Sequence, residues 1–123
     1  MTLLRGLIAV MTLVALSSVT WAETRLLMAE EPGCYWCAQW NEAIGPIYPK
    51  TAEGAVAPLE RYDILHPPAD VAFARSVNFT PTFVLVRDGV ELSRIEGYPG
   101  EDFFWGLLGM MLDKAGITPE PAG

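Results

Sequence analysis

An α/β fold is predicted for this chain: a four-stranded mixed sheet, two strands parallel and two antiparallel, with helices on both faces. Three features of the sequence predict it. A short apolar run, Leu26 to Ala29, precedes a helix-spaced stripe near Cys34 and a second strand-like run, Leu59 to Leu65. That strand–helix–strand order places two strands in parallel. Asp88-Gly89 joins two further extended runs, as the tight turn of an antiparallel hairpin does. Finally, Phe104, Leu107, Leu108 and Met111 form a helical stripe that can cover the sheet.

Taken in order, Leu26-Leu27-Met28-Ala29 reads as a buried strand closed by Glu30-Glu31-Pro32-Gly33. Cys37, Trp40, Asn41 and Ile44 recur at helical spacing, so a helix starts near Cys34, with Trp40 in the core, and Gly45-Pro46 breaks it. A second helical stretch is expected before Gly54. Leu59 to Leu65, with Tyr62 and Ile64 on one face, carries Glu60, Arg61 and Asp63 and suits a sheet edge, where charge discourages pairing with another molecule. Pro67-Pro68-Ala69-Asp70 is expected to open a short helix over Val71 to Arg75. Thr82 to Arg87 is apolar and rich in valine, the signature of a central strand. Its hairpin partner runs from about Glu91 to Glu96, and the last helix spans Glu101 to Lys114. The stripe on that helix reads as core, because each helix in such a layer needs one buried face.

Residues 1–22 read as a secretory leader: Arg5, an apolar core from Leu7 to Leu16, then Thr20-Trp21-Ala22 as a cleavage site. The apolar core is roughly half of what spans a bilayer. Residues 23–123 then form one exported domain with no stable membrane insertion after cleavage. The whole chain has 8 Lys and Arg against 15 Asp and Glu, a net charge of −7, and loss of Arg5 takes it to −8. An acidic domain without a basic cluster does not bind nucleic acid, whose phosphates demand Lys and Arg.

Both cysteines lie in Cys34-Tyr35-Trp36-Cys37, at a strand-to-helix junction. A first cysteine at a helix N-terminus meets unpaired N–H groups and the positive end of the helix dipole. Such a setting lowers a thiol pKa from about 8.5 into the range of roughly 3.5–7.5. The second cysteine, one turn on, can resolve a mixed disulfide. Cys34 is therefore the expected nucleophile and Cys37 the resolving thiol, with no cofactor and no metal required. Two other uses compete. A structural staple would close only a four-residue loop, worth about 2 kcal/mol by loop-closure entropy. A zinc site wants four ligands, and beyond this pair the chain offers only His66, more simply a loop residue before Pro67-Pro68.

Phe79-Thr80-Pro81-Thr82 stands immediately before the central strand. If Thr80–Pro81 is cis, its bend brings the loop against the cysteines, and the Thr80 backbone can pair with an extended client segment. The competing reading is an ordinary proline at a strand start. Tyr35 and Trp36 are candidate apolar contacts for a protein client. Glu30 or Glu31 is a candidate proton-relay group, against the plainer reading of two solvated loop carboxylates.

Pro32-Gly33-Cys34-Tyr35-Trp36-Cys37, Gly45-Pro46, Thr80-Pro81-Thr82 and Asp88-Gly89 together resemble the thioredoxin superfamily. With Trp40-Asn41 and Ile44-Gly45-Pro46-Ile47-Tyr48-Pro49-Lys50-Thr51, the chain is more closely similar to the small periplasmic thioredoxins, of the SoxS type, encoded with bacterial sulfur-oxidation (Sox) systems. The resemblance implies a compact thioredoxin-like fold and a periplasmic thiol–disulfide oxidoreductase, a reductase keeping a partner's cysteine usable. It implies the thiosulfate-carrying Sox protein pair as client and a membrane thiol transporter of the CcdA/DsbD type as electron donor. Only about ten residues separate the expected cleavage site after Ala22 from Cys34, which leaves no room for the extra N-terminal strand and helix of full thioredoxins. Tyr35-Trp36 replaces their Gly-Pro, and Leu26 to Ala29 lacks their buried acid. An oxidase or isomerase, or a binding module with a structural disulfide, are the alternatives.

Overall fold

The fold is taken from a computed structural model, which describes residues 23–120; the leader expected over 1–22 lies outside the described residues. The chain runs β1 (Thr24–Glu30), α1 (Tyr35–Ala43), a 3₁₀ turn (Tyr48–Lys50), α2 (Ala52–Val56), β2 (Leu59–Asp63), β3 (Thr82–Arg87), β4 (Val90–Glu96) and α3 (Glu101–Lys114). The four strands lie in the order β2-β1-β3-β4. β1 and β2 are parallel, Leu26 facing Leu59, whereas β1–β3 and β3–β4 are antiparallel. This is the mixed sheet expected, with β2 at an edge and β3 inside. Asp88 and Gly89 both take positive φ, 51° and 76°, the backbone a two-residue hairpin demands.

Period-2 alternation splits the sheet's apolar side chains between two clusters. On one face Leu26, Met28, Phe83, Leu85 and Ile95 pack with Cys37, Trp40 and Ile44 beside α1 and with Phe104, Leu108, Met111 and Leu112 of α3. Trp40, Phe83 and Phe104 form its aromatic centre, with ring centroids 4.9–5.6 Å apart. Tyr48 closes this core: its hydroxyl donates to Ala57 O at 2.6 Å, and burial pushes the phenol well above its usual range.

On the other face Leu27, Val84 and Val86 are covered by Val71, Phe73 and Val77, from a segment that is not a helix. The helix expected over Val71 to Arg75 is the one element the structure corrects. Its backbone groups are taken by β4 instead of by one another. Ala72 N–H donates to Gly89 O (2.7 Å) and Ala72 O accepts from Glu91 N–H (3.0 Å), an isolated parallel bridge. Ala74 N–H donates to Glu91 Oε1, and Arg94 donates to the carbonyls of Arg75 and Ser76. The helices therefore gather on one face, not on both as expected from the sequence, and residues 64–81 cover the other as irregular chain pinned by β4. A second, smaller correction concerns α3: Leu107, expected in the core, is exposed, and Leu112 is buried in its place.

Gly54 is set directly on the 3₁₀ turn, where a Cβ would stand 1.9 Å from Tyr48 O. Gly54→Ala is expected to lower stability by about 1–3 kcal/mol, the range for overpacking. Urea unfolding reads this out, and an unchanged midpoint would refute it.

Candidate active site

Strand β1 ends at Glu30, and the Glu31-Pro32-Gly33 turn delivers Cys34 to the N-cap of α1. Gly33 makes that turn with φ +78°, a conformation disfavoured for side chains with a Cβ. Cys34 itself has extended backbone angles, and its Sγ accepts a hydrogen bond from Cys37 N–H at 3.1 Å. The sulfur thus occupies the position a serine or aspartate cap takes, satisfying one of the orphan donors of the helix. Cys34 and Cys37 are joined in a disulfide, their Cα atoms 5.3 Å apart. The two sulfurs are not equivalent in their surroundings: Cys37 is 4 % exposed and part of the core, whereas Cys34 is half-buried.

A groove of about 610 Å³ opens beside both cysteines, between Glu31, Tyr35, Asn41 and Asp63. Tyr35 and Trp36, 64 % and 55 % exposed, stand edge to face on the solvent side of α1 with ring centroids 4.9 Å apart. Both are unburied although aromatic, and Tyr35 also lines the groove.

Thr80–Pro81 is a cis peptide bond. The loop carrying it is tied to the cysteine loop by Thr80 Oγ1, which donates to Glu31 Oε1 at 2.6 Å across 49 residues of sequence. Thr82 Oγ1 donates to Phe79 O and Gly97 N–H to Pro81 O, while the backbone N–H and C=O of Thr80 take no partner among the described residues. Phe79 is 59 % exposed and adds a third aromatic to this end of the molecule.

The plainer reading of two solvated loop carboxylates holds for Glu31, an exposed loop residue that accepts from Thr80, but not for Glu30. Glu30 is the last residue of β1 and pairs with Arg61 of β2. Arg61 also donates to Asn41 Oδ1 (2.6 Å) and lies over the Trp40 ring at 5.7 Å, so one guanidinium clamps the edge strand to α1 beside the groove. Sequence reasoning missed this network. Its signal was faint: a cation at an edge-strand position, an asparagine on the helix stripe and an acid at the strand end, each ordinary alone. His66 is an exposed loop residue, its Nδ1 3.8 Å from Asp63. Among the described residues no three His, Cys, Asp or Glu side chains converge as a metal-holding group.

No protein-family model matches the chain, and no curated protein does. Among solved structures, the crystal structure of the periplasmic thioredoxin SoxS from Paracoccus pantotrophus, in its reduced form, is 52 % identical in sequence. The match covers 76 % of this chain and 99 % of that one, with a TM-score of 0.74. The chain belongs to the thioredoxins of the SoxS type. Thiol–disulfide exchange is the chemistry that this fold and its Cys34–Cys37 pair support. In this thioredoxin β1 leads straight to the turn that carries Cys34, and no acid stands in Leu26–Ala29.

Proposed function

We propose that this thioredoxin is a periplasmic reductase that keeps a cysteine of a partner protein in its thiol form. The observation that carries the reading is the asymmetry of the cysteine pair. Cys34 sits at the helix cap with an N–H aimed at its sulfur, and Cys37 lies one turn deeper in the core. In the reduced protein the Cys34 thiolate is the accessible nucleophile, stabilised by that N–H and the helix dipole. It attacks a client disulfide, forming a mixed disulfide and expelling one client thiolate. Cys37, as thiolate, then attacks Cys34 Sγ and releases the second client thiolate. Two electrons pass to the client, and the Cys34–Cys37 disulfide is the product form.

Tyr35 and Trp36 form the apolar rim, and the unpaired Thr80 backbone beside Pro81 offers an extended client segment two hydrogen bonds in the manner of an added strand. The SoxS likeness favours reduction over oxidation, a sulfur-oxidation carrier protein as client, and the periplasm as location. An exported reductase works against an oxidising compartment, so its electrons must come through the membrane, which fits a thiol transporter of the CcdA/DsbD type.

Cys37→Ser tests the reading in cells: the first attack proceeds and resolution does not. A client linked to Cys34 should accumulate as a species that reductant dissolves on a gel, and its absence would overturn the reading. Redox titration fixes direction, with a potential near about −270 mV expected and one near about −120 mV marking an oxidase.

A further inference from the structure

Strands β1 and β3 run antiparallel, and the last partners in their register toward the redox site are Ala29 and Thr82. Two residues further, the same register sets Glu31 opposite Thr80. The backbone ladder stops short of that pair, and Pro81 between has no N–H to extend it. A side-chain bond stands there instead: Thr80 Oγ1 donates to Glu31 Oε1 at 2.6 Å. Glu31 is also held to the nucleophile, because its carbonyl accepts from Cys34 N–H at 3.3 Å. One residue thus grips the cysteine turn by its backbone and the Thr80 loop by its carboxylate. The other bonds of that loop run from Thr82 Oγ1 to Phe79 O and from Gly97 N–H to Pro81 O, so they fix it to itself and to the end of β4. Among the described residues, the Thr80–Glu31 bond is the one hydrogen bond that spans the two arms of the site.

We infer that Glu31 is a positioning residue for extended protein clients, holding the Thr80 loop at a set distance from Cys34. The inference rests on the exchange reading given above and adds which substrates need this residue. A ladder continued through Thr80 would spend its N–H or C=O on β1. The side-chain bond sets the same spacing and leaves both backbone groups for a client segment, whose sulfur is then delivered to the Cys34 thiolate. A small disulfide that takes no bond from the Thr80 backbone has little use for the tie. The carboxylate acts as an acceptor, so its charge is not what the role requires.

The test compares two substrates of the reduced full-length protein: the disulfide-linked dimer of a short peptide with a central cysteine, and hydroxyethyl disulfide. In both reactions the substrate disulfide is reduced to two thiols and Cys34–Cys37 is oxidised to the disulfide. Glu31→Ala and Thr80→Val should each lower the second-order rate constant for the peptide about threefold to tenfold, the worth of one hydrogen bond that orients a substrate. The loss on hydroxyethyl disulfide should be much smaller. The double variant should be no slower than either single one, because both remove the same bond. Thr80→Ser keeps the donor and Glu31→Gln keeps an acceptor without the charge, so both should retain most of the peptide rate. Equal losses on the two substrates, additive effects in the double variant, or Glu31→Gln as slow as Glu31→Ala would overturn the inference while wild-type activity leaves the exchange reading standing. A wild type inert toward both disulfides would overturn the exchange reading, and this inference with it.

Discussion

Cys34→Ser takes disulfide reduction down to the uncatalysed background. A serine hydroxyl at the α1 N-cap still caps the helix, accepting from the N–H of residue 37 as the sulfur does now, so the fold is kept while the nucleophile is lost. The thiolate is the only form that attacks a disulfide, and no hydroxyl in this site replaces it. The companion measurement is alkylation of the reduced protein with iodoacetamide at mildly acidic pH. Cys34 should react much faster than free cysteine, and Cys37, 4 % exposed, should be protected. Insulin or a synthetic disulfide serves as substrate. Full turnover by Cys34→Ser, or equal alkylation of both sulfurs at the rate of a free thiol, would remove the chemical basis of the proposed function. A merely structural disulfide predicts the reverse pattern, in which Cys34→Ser lowers stability and leaves activity untouched.

Arg94→Ala should destabilise the fold by about 3–5 kcal/mol, the cost of stranding one partner of a buried ion pair. Arg94 and Glu91 side chains are 4 % and 3 % exposed. Two guanidinium nitrogens reach the two carboxylate oxygens at 2.6 and 2.7 Å, and the same group holds the carbonyls of Arg75 and Ser76. Loss of Arg94 therefore strands a carboxylate and unpins the 64–81 segment from the second face. Replacing both partners by apolar residues should cost much less than Arg94→Ala alone, which distinguishes an uncompensated charge from lost packing. The pair also sets an acid dependence. Burial opposes ionisation of Glu91, but the hydrogen bonds from Arg94 and Ala74 N–H and the charges of Arg94 and Arg75 outweigh it, holding the carboxyl below its ordinary range. A carboxyl depressed in the folded state stabilises above the unfolded value, about 4.3, and that contribution fades as pH falls through the folded value. Urea midpoints at neutral pH and in acid should therefore converge in Glu91→Gln relative to wild type. Identical acid sensitivity in both proteins would show that Glu91 carries none of it.

The redox pair was legible in sequence because everything it needs is local. A turn, a helix start and two sulfurs three residues apart occupy a few consecutive positions, and helical periodicity from Cys37 to Ile44 supplies the rest. The β88–89 hairpin was legible for the same reason, since Asp-Gly tolerates the positive φ the turn imposes. The segment from Val71 to Arg75 was not. Its alanines and lone phenylalanine suit a helix, but its N–H and C=O groups are claimed by Glu91, Arg94 and Gly89, some 17–19 residues further along. Local propensity is worth tenths of a kcal/mol per residue, too little to compete with a buried bidentate ion pair. The Arg61–Glu30–Asn41 clamp escaped notice likewise, because its members come from three elements.

The order of the four strands, the place of the cysteines at a helix start and the net acidic charge were determined by the sequence alone, since each depends on composition or on neighbours along the chain. Tertiary structure decided the rest. It buried one sulfur and left the other half-buried, brought Thr80 to Glu31, covered the second sheet face without a helix and left Phe103, Leu107 and Met110 in solvent. Those outcomes depend on which surfaces meet in space, and periodicity cannot tell a helix stripe that faces the sheet from one that faces solvent.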